Sequence, residues 1–174
     1  MRALVFIIDV LVTLYGAVLL LRLLMQLTRA DFRNPIARAV VQLTNPVVLP
    51  LRRLLPPAGK LDTASAAAVV LCALLKVWLL SLLLGFAPGA ALLLRATLID
   101  VAELVLHTYL WCIIFYALLS FLAPGNYSPA QSLLASITRP VLDPVRRLIP
   151  PIAGLDLSPL WAAIAIQALL ILLR

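Results

Sequence analysis

The stretch TNPVVLPLRRLLPP, residues 44–57, returns at a constant offset as TRPVLDPVRRLIPP, residues 138–151. The same register pairs Leu61-Asp62 with Leu155-Asp156, and outwards pairs Pro35 with Pro129, Tyr15 with Tyr109 and the acidic Asp9 with Glu103. Agreement at one offset over so many positions is an internal duplication, and it has to be recognised before any other feature is read. Each copy sets a basic, proline-rich linker between apolar runs.

Working outwards, hydrophobic residues make up 64% of the 174 and the mean hydropathy is +1.13. An ordinary globular chain is roughly 45–50% apolar. The apolar residues gather in four long runs, and about 20 residues at ~1.5 Å each cross the hydrocarbon. This predicts an all-α membrane protein with four transmembrane helices, arranged as two parallel helix–interfacial linker–helix repeats. The first repeat takes residues 1–84, with spans at about 3–28 and 62–84 around a linker at 29–60. A short connecting turn follows at 85–97, and the second repeat takes 98–174, with spans at about 98–123 and 155–173 around a linker at 124–154. The first run meets Arg22 and Gln26 instead of a small-residue cleavage motif, so it reads as a retained helix and not a secretion signal.

Within the linkers, helices are expected to start at Pro35 and at Ser128-Pro129, where a missing amide hydrogen costs little. Pro46, Pro50, Pro56 and Pro57, and in the second copy Pro140, Pro144, Pro150 and Pro151, predict an extended or broken stretch after about Leu43. Asp62 stands where an N-terminal cap would. The run Ala64-Ser65-Ala66-Ala67-Ala68 gives the second span one slim end suited to close packing.

Six basic residues (Arg29, Arg33, Arg38, Arg52, Arg53, Lys60) face one acid, Asp31, in the first linker, and Arg139, Arg146 and Arg147 mark the second. The other side offers Arg2, Arg95 and Arg174. By the positive-inside tendency both linkers face the cytoplasm. Arg52, Arg53, Arg146 and Arg147 repel one another and favour an anionic partner: phospholipid headgroups or an acidic protein segment. The formal charge of +7 thus points to lipid and not to nucleic acid, for which no soluble domain presents a basic face.

The intramembrane polar residues are Asp9, Arg22, Gln26, Lys76, Glu103 and His107. Arg22 and Gln26 share a helical face, as do Glu103 and His107. Arg22 either snorkels to the headgroups or contacts the linker or the other repeat. Lys76 lies near the middle of its span, where an ammonium must be paired, solvated or snorkelled; Asp9, Glu103 or a lipid phosphate can pair with it. His107 is the only histidine, which excludes a self-contained histidine-rich metal site. It reads as a helix–helix hydrogen bond, with haem ligation or proton transfer to Glu103 as alternatives. Cys72 and Cys112 have no paired-thiol spacing and read as inert thiols. No nucleophile–base pair, metal cluster or phosphate-cradling loop is present, so no catalytic residue, metal or cofactor is assigned.

The repeated NP...P-x-R-R-[LI]-[LI]-P-P...LD pattern resembles that of the YggT (YlmG-related) family of membrane proteins, over nearly all of residues 3–173. The first copy carries it in Arg22, Gln26, Asn34-Pro35, Asn45-Pro46, Pro50, Arg52-Arg53, Pro56-Pro57, Gly59 and Asp62. The second carries it in Pro140, Pro144, Arg146-Arg147, Pro150-Pro151, Gly154, Asp156, Ser158 and Pro159. The copies part where Tyr116 and Ser120 stand opposite Arg22 and Gln26. The resemblance implies a non-enzymatic inner-membrane protein that organises or assists partner complexes in envelope organisation, division or osmotic physiology. Its partners would be anionic phospholipid, membrane or division proteins, and a second copy of itself. The alternatives it leaves are an oligomeric transporter or small channel in osmotic tolerance, and a factor for cytochrome maturation or haem attachment.

Overall fold

The computed structural model describes residues 2–56, 62–122, 128–149 and 156–173. Six helices form among them: α1 (Arg2–Leu27), α2 (Pro35–Leu54), α3 (Thr63–Leu83), α4 (Ala90–Leu122), α5 (Pro129–Leu148) and α6 (Ser158–Leu173). Pro57, Gly59, Lys60, Pro124, Gly125, Asn126, Pro150, Pro151 and Gly154 lie outside the described residues.

The architecture corrects the expectation of four spanning helices in two helix–linker–helix repeats. Among the described residues only α1, α3 and α4 are long and apolar enough to cross a membrane. The 16 residues of α6 rise about 24 Å, short of a hydrocarbon core of about 30 Å. In the last apolar run, Asp156 and Leu157 precede the helix and α6 starts at Ser158, because the Asp156 carboxylate takes the Ser158 N–H at 3.0 Å and Pro159 suits a first turn. At the other seam, the connecting turn expected over 85–97 is shorter. Gly85, at φ 75°, ends α3, and α4 starts at Ala90 with the Leu93 N–H donating to the Gly89 carbonyl. The stretch Ala90-Ala91-Leu92-Leu93-Leu94-Arg95 is built of strong helix formers, so Arg95 lies inside the helix.

The linkers hold the second correction. The stretch expected to be extended or broken is helical: α2 continues through Pro46 and Pro50 to Leu54, and α5 through Pro140 and Pro144 to Leu148. A proline inside a helix removes one ladder bond and costs about 3 kcal/mol or more. Here each pair is spaced four apart, so the missing donors fall on one side of the helix. In α2 that side is exposed at Gln42, Pro46 and Pro50. The carbonyls of Gln42 and Pro46, which lose their ladder donors, therefore stand where solvent or headgroups can serve them. The opposite side, Val40, Thr44 and Val48, is buried, and its packing supplies the compensating stabilisation. An exposed apolar edge of Leu43, Val47 and Leu54 completes α2. The helix therefore has three sectors, one packed, one greasy and one polar.

The chain divides into two compact units that do not follow the duplication: Met1–Leu23 with Val40–Val105, and Leu24–Ala39 with Leu106–Arg174. In the first, Leu19, Leu20, Ala64, Ala68, Val69, Ala73 and Leu104 are buried. Gly16 marks a tight approach within it. A methyl group there would stand 3.3 Å from Leu104 Cδ2 and 3.7 Å from Cys72 Sγ, so α1 meets α3 and α4 where it lacks a side chain. In the second unit Ile113, Leu142, Ala162, Ile166 and Leu170 form the core, with Tyr109, Leu110 and Tyr116 packed against it. Asn34 joins the starts of two helices there. Its Oδ1 accepts from the Ile36 N–H at 2.9 Å, while its Nδ2 donates to the Pro129 carbonyl at 2.6 Å. Across α1, Leu4, Phe6, Ile7, Leu11 and Leu14 are exposed, a continuous apolar surface that requires a lipid environment.

Enlarging Gly16 tests the α1 contact. Gly16→Leu should destabilise the detergent-solubilised protein by about 1–3 kcal/mol, the usual cost of overpacking. Gly16→Ala, which needs Leu104 to yield only a few tenths of an ångström, should stay close to wild type in the same melting assay.

Candidate functional site

Two constellations of polar residues stand out, and the first is duplicated. At the end of α2, Arg52 Nη2 donates to Asp62 Oδ2, which also accepts from Ser65 Oγ at 2.8 Å. At the end of α5, Arg146 Nη2 lies 2.8 Å from Asp156 Oδ2 and its Nε donates to the same oxygen at 2.9 Å. Ser158 Oγ donates to the other oxygen of Asp156. Each linker helix is thus clasped, by the first arginine of its terminal pair, to the acid that precedes the next helix. In the first copy the Thr63 hydroxyl adds a bond to the Pro56 carbonyl at 2.8 Å. In the second, Arg146 also reaches Tyr116 Oη and Asp143 Oδ1, both at 3.4 Å.

Burial alone would raise the Asp62 carboxyl, since that residue is only 1% exposed. Hydrogen bonds from Ser65 and Arg52 and the field of the guanidinium outweigh it and hold the carboxyl below its ordinary range. Asp156 is held down in the same sense: burial raises it, and Ser158 and Arg146 more than reverse that.

The clasps divide the four expected docking arginines. Arg52 and Arg146 are tied to carboxylates, with side chains still 44% and 35% exposed. Arg53 and Arg147 are exposed and have no ion-pair partner among the described residues. Of the expected prolines, Pro46, Pro50, Pro56, Pro140 and Pro144 are exposed. Pro57, Pro150 and Pro151 are outside the described residues. Gln42, Asn45, Pro46, Leu49, Pro50 and Arg53 line an open groove of about 430 Å³ on the outward face of α2.

The second constellation lies among the spans of the first unit. Lys76, its side chain 10% exposed, pairs with Asp100, lies 3.6 Å from Asp9 Oδ1 and donates to Thr13 Oγ1 at 3.0 Å. An ammonium has three protons, and here three acceptors surround it. Asp9 was anticipated from the sequence and Asp100 was not, because Asp100 read as the start of a helix that in fact begins ten residues earlier, at Ala90. Glu103 and His107 are half-buried on α4, and neither is without an interaction.

Arg22 takes the linker-contact alternative. It is 5% exposed, and its Nη1 donates to Thr44 Oγ1 at 2.8 Å, Asn45 Oδ1 at 3.0 Å and the Val41 carbonyl at 3.4 Å. The guanidinium therefore fastens α1 to α2. Gln26 is half-buried near the end of α1, and its carbonyl accepts from the Arg29 N–H at 3.2 Å. Cys72 and Cys112 are free thiols, and among the described residues no three histidine, cysteine or acidic side chains gather as a metal site.

Comparison with known proteins follows the duplication. The CCB3/YggT family model matches residues 1–83 and 95–174. An uncharacterized protein of Pseudomonas aeruginosa is 38% identical over 95% of this chain and 85% of its own length. The uncharacterized protein YggT of Escherichia coli K12 is 33% identical over 92% of this chain and 83% of its own. An uncharacterized protein in the proC 3' region of Vibrio alginolyticus is 37% identical over 96% and 91%. No solved structure matches.

Two experiments probe these constellations. Lys76→Ala leaves two carboxylates facing one another in an apolar surround, and should cost about 3–5 kcal/mol in a detergent unfolding assay. Lys76→Met combined with Asp100→Asn should recover most of that loss. For the clasps the sign follows from depressed carboxyls. Their contribution is complete above the unfolded carboxylate value of about 4 and disappears as pH falls through the lower folded values. Melting temperature should therefore drop below about pH 4 in wild type. It should drop less over the same interval when Asp62→Asn and Asp156→Asn are combined.

Proposed function

The chain belongs to the CCB3/YggT family of multi-pass bacterial inner-membrane proteins, and from that premise we propose that it is a non-enzymatic organiser of partner complexes. Its two linker helices are the docking elements, and envelope, division or osmotic physiology is the setting. The observation that carries this reading is the repeated clasp. One arginine of each pair fixes the linker helix to the following one, while the next two residues, Arg53-Leu54 and Arg147-Leu148, are left outward. Leu54 is 78% exposed and Leu148 81%, and they occupy equivalent places in the two copies. A cation beside an exposed leucine, presented twice on clasped helices, suits an acidic segment with an apolar anchor, or an anionic lipid surface.

Both linkers are assigned to the cytoplasm. What supports this is the concentration of basic residues in them, together with the two candidate spans between them, α3 and α4, since two crossings would bring the chain back to one side.

Photo-crosslinking amino acids placed at Leu54 and Leu148 in native membranes test the proposal. Discrete protein adducts should form at both positions. Combined Arg53→Gln and Arg147→Gln changes should reduce them several-fold while leaving the melting temperature unchanged. If neither position yields a protein adduct, the docking role is abandoned.

A further inference from the structure

We propose that the groove on the outward face of α2 is a headgroup site for an anionic phospholipid, with Arg53 as its cation. This deepens the reading above by naming one partner chemically, and it rests on the interfacial placement of α2 and not on any protein partner.

Four observations converge on it. Arg53 lines the groove and has no carboxylate partner among the described residues, whereas its neighbour Arg52 is held by Asp62. Asn45 lines it too, with its Oδ1 committed to the Arg22 guanidinium, which leaves the two N–H donors of its amide for an acceptor in the groove. Pro46 and Pro50 deny ladder donors to the Gln42 and Pro46 carbonyls on this same face, so acceptors for headgroup hydroxyls stand beside donors for phosphate. Finally, the exposed edge of Leu43 and Val47 adjoins the groove, and gives acyl chains an apolar track next to the headgroup position. Phosphate, hydroxyls and an apolar tail together describe a lipid such as phosphatidylglycerol.

The second copy supplies an internal control. Where α2 has Leu49 in the groove, α5 has Asp143, which lies 3.4 Å from Arg146. A carboxylate there repels phosphate, so the site belongs to α2, and the duplication has not preserved it in α5.

The test uses the full-length protein in detergent, titrated with phosphatidylglycerol or phosphatidylcholine and read by native mass spectrometry of lipid adducts. Wild type should retain phosphatidylglycerol in preference to phosphatidylcholine. Arg53→Gln should lower that preference about fivefold, the equivalent of one basic residue at an anionic surface. Leu49→Asp, which installs the second copy's own residue at an exposed position, should lower it at least as much. Arg52→Gln should reduce the melting temperature and keep the preference. Equal retention of the two lipids by wild type overturns the site, and so does a preference that survives both Arg53→Gln and Leu49→Asp. Because no protein partner is present, failure here leaves the crosslinking result standing, and the reverse also holds.

Discussion

A charge held beside hydrocarbon has to be answered from within the protein, and that constraint organises the chain. Lys76 is surrounded by Asp100, Asp9 and Thr13; Arg22 is buried against Thr44 and Asn45; Asp62 is closed between Arg52 and Ser65. Each answer joins two or three helices. In the first unit these three clusters fix α3 to α1 and α4, α1 to α2, and α2 to α3, so the apolar contacts around Gly16 operate within a frame already set by polar ones. Leaving any such charge unpartnered costs more than a surface ion pair ever contributes.

The linker helices show how a local penalty is absorbed by its placement. Two prolines four residues apart would ordinarily end a helix. In α2 the missing bonds face outward, and the packed side of Val40, Thr44 and Val48 keeps the ladder intact where it is buried. The polar and apolar flanks of that helix then define a surface with two characters, one suited to headgroups and one to acyl chains.

Much of this was legible in the residues themselves. The fixed offset revealed the duplication, Pro35 and Ser128-Pro129 marked helix starts, and apolar runs located α1, α3 and α4. Four things were not. Proline propensity says nothing about which face of a helix carries the loss, so α2 and α5 read as broken when they are continuous. The length of the last apolar run did not reveal that its first turn is taken up by Asp156 and Pro159, so α6 read as a span. The clasps were visible as an Arg-Arg and an acid repeated in step, yet nothing in a linear pattern says that the first arginine of each pair, and not the second, meets the carboxylate. Asp100 was hidden by a misplaced helix start, since a carboxylate at a helix end and one well inside it invite different partners.

The way the compact units interleave along the chain bears on biogenesis. The segment Leu24–Ala39 leaves the ribosome long before Leu106–Arg174, the stretch it packs with, and Asn34 can reach the Pro129 carbonyl only after α5 has been made. The first hairpin must therefore enter the bilayer with that segment unattached, and its start of α2 waits for a partner synthesised later. Such delayed closure exposes a transient surface during insertion, at a stage when a chaperone or insertase would find the nascent chain most in need of cover.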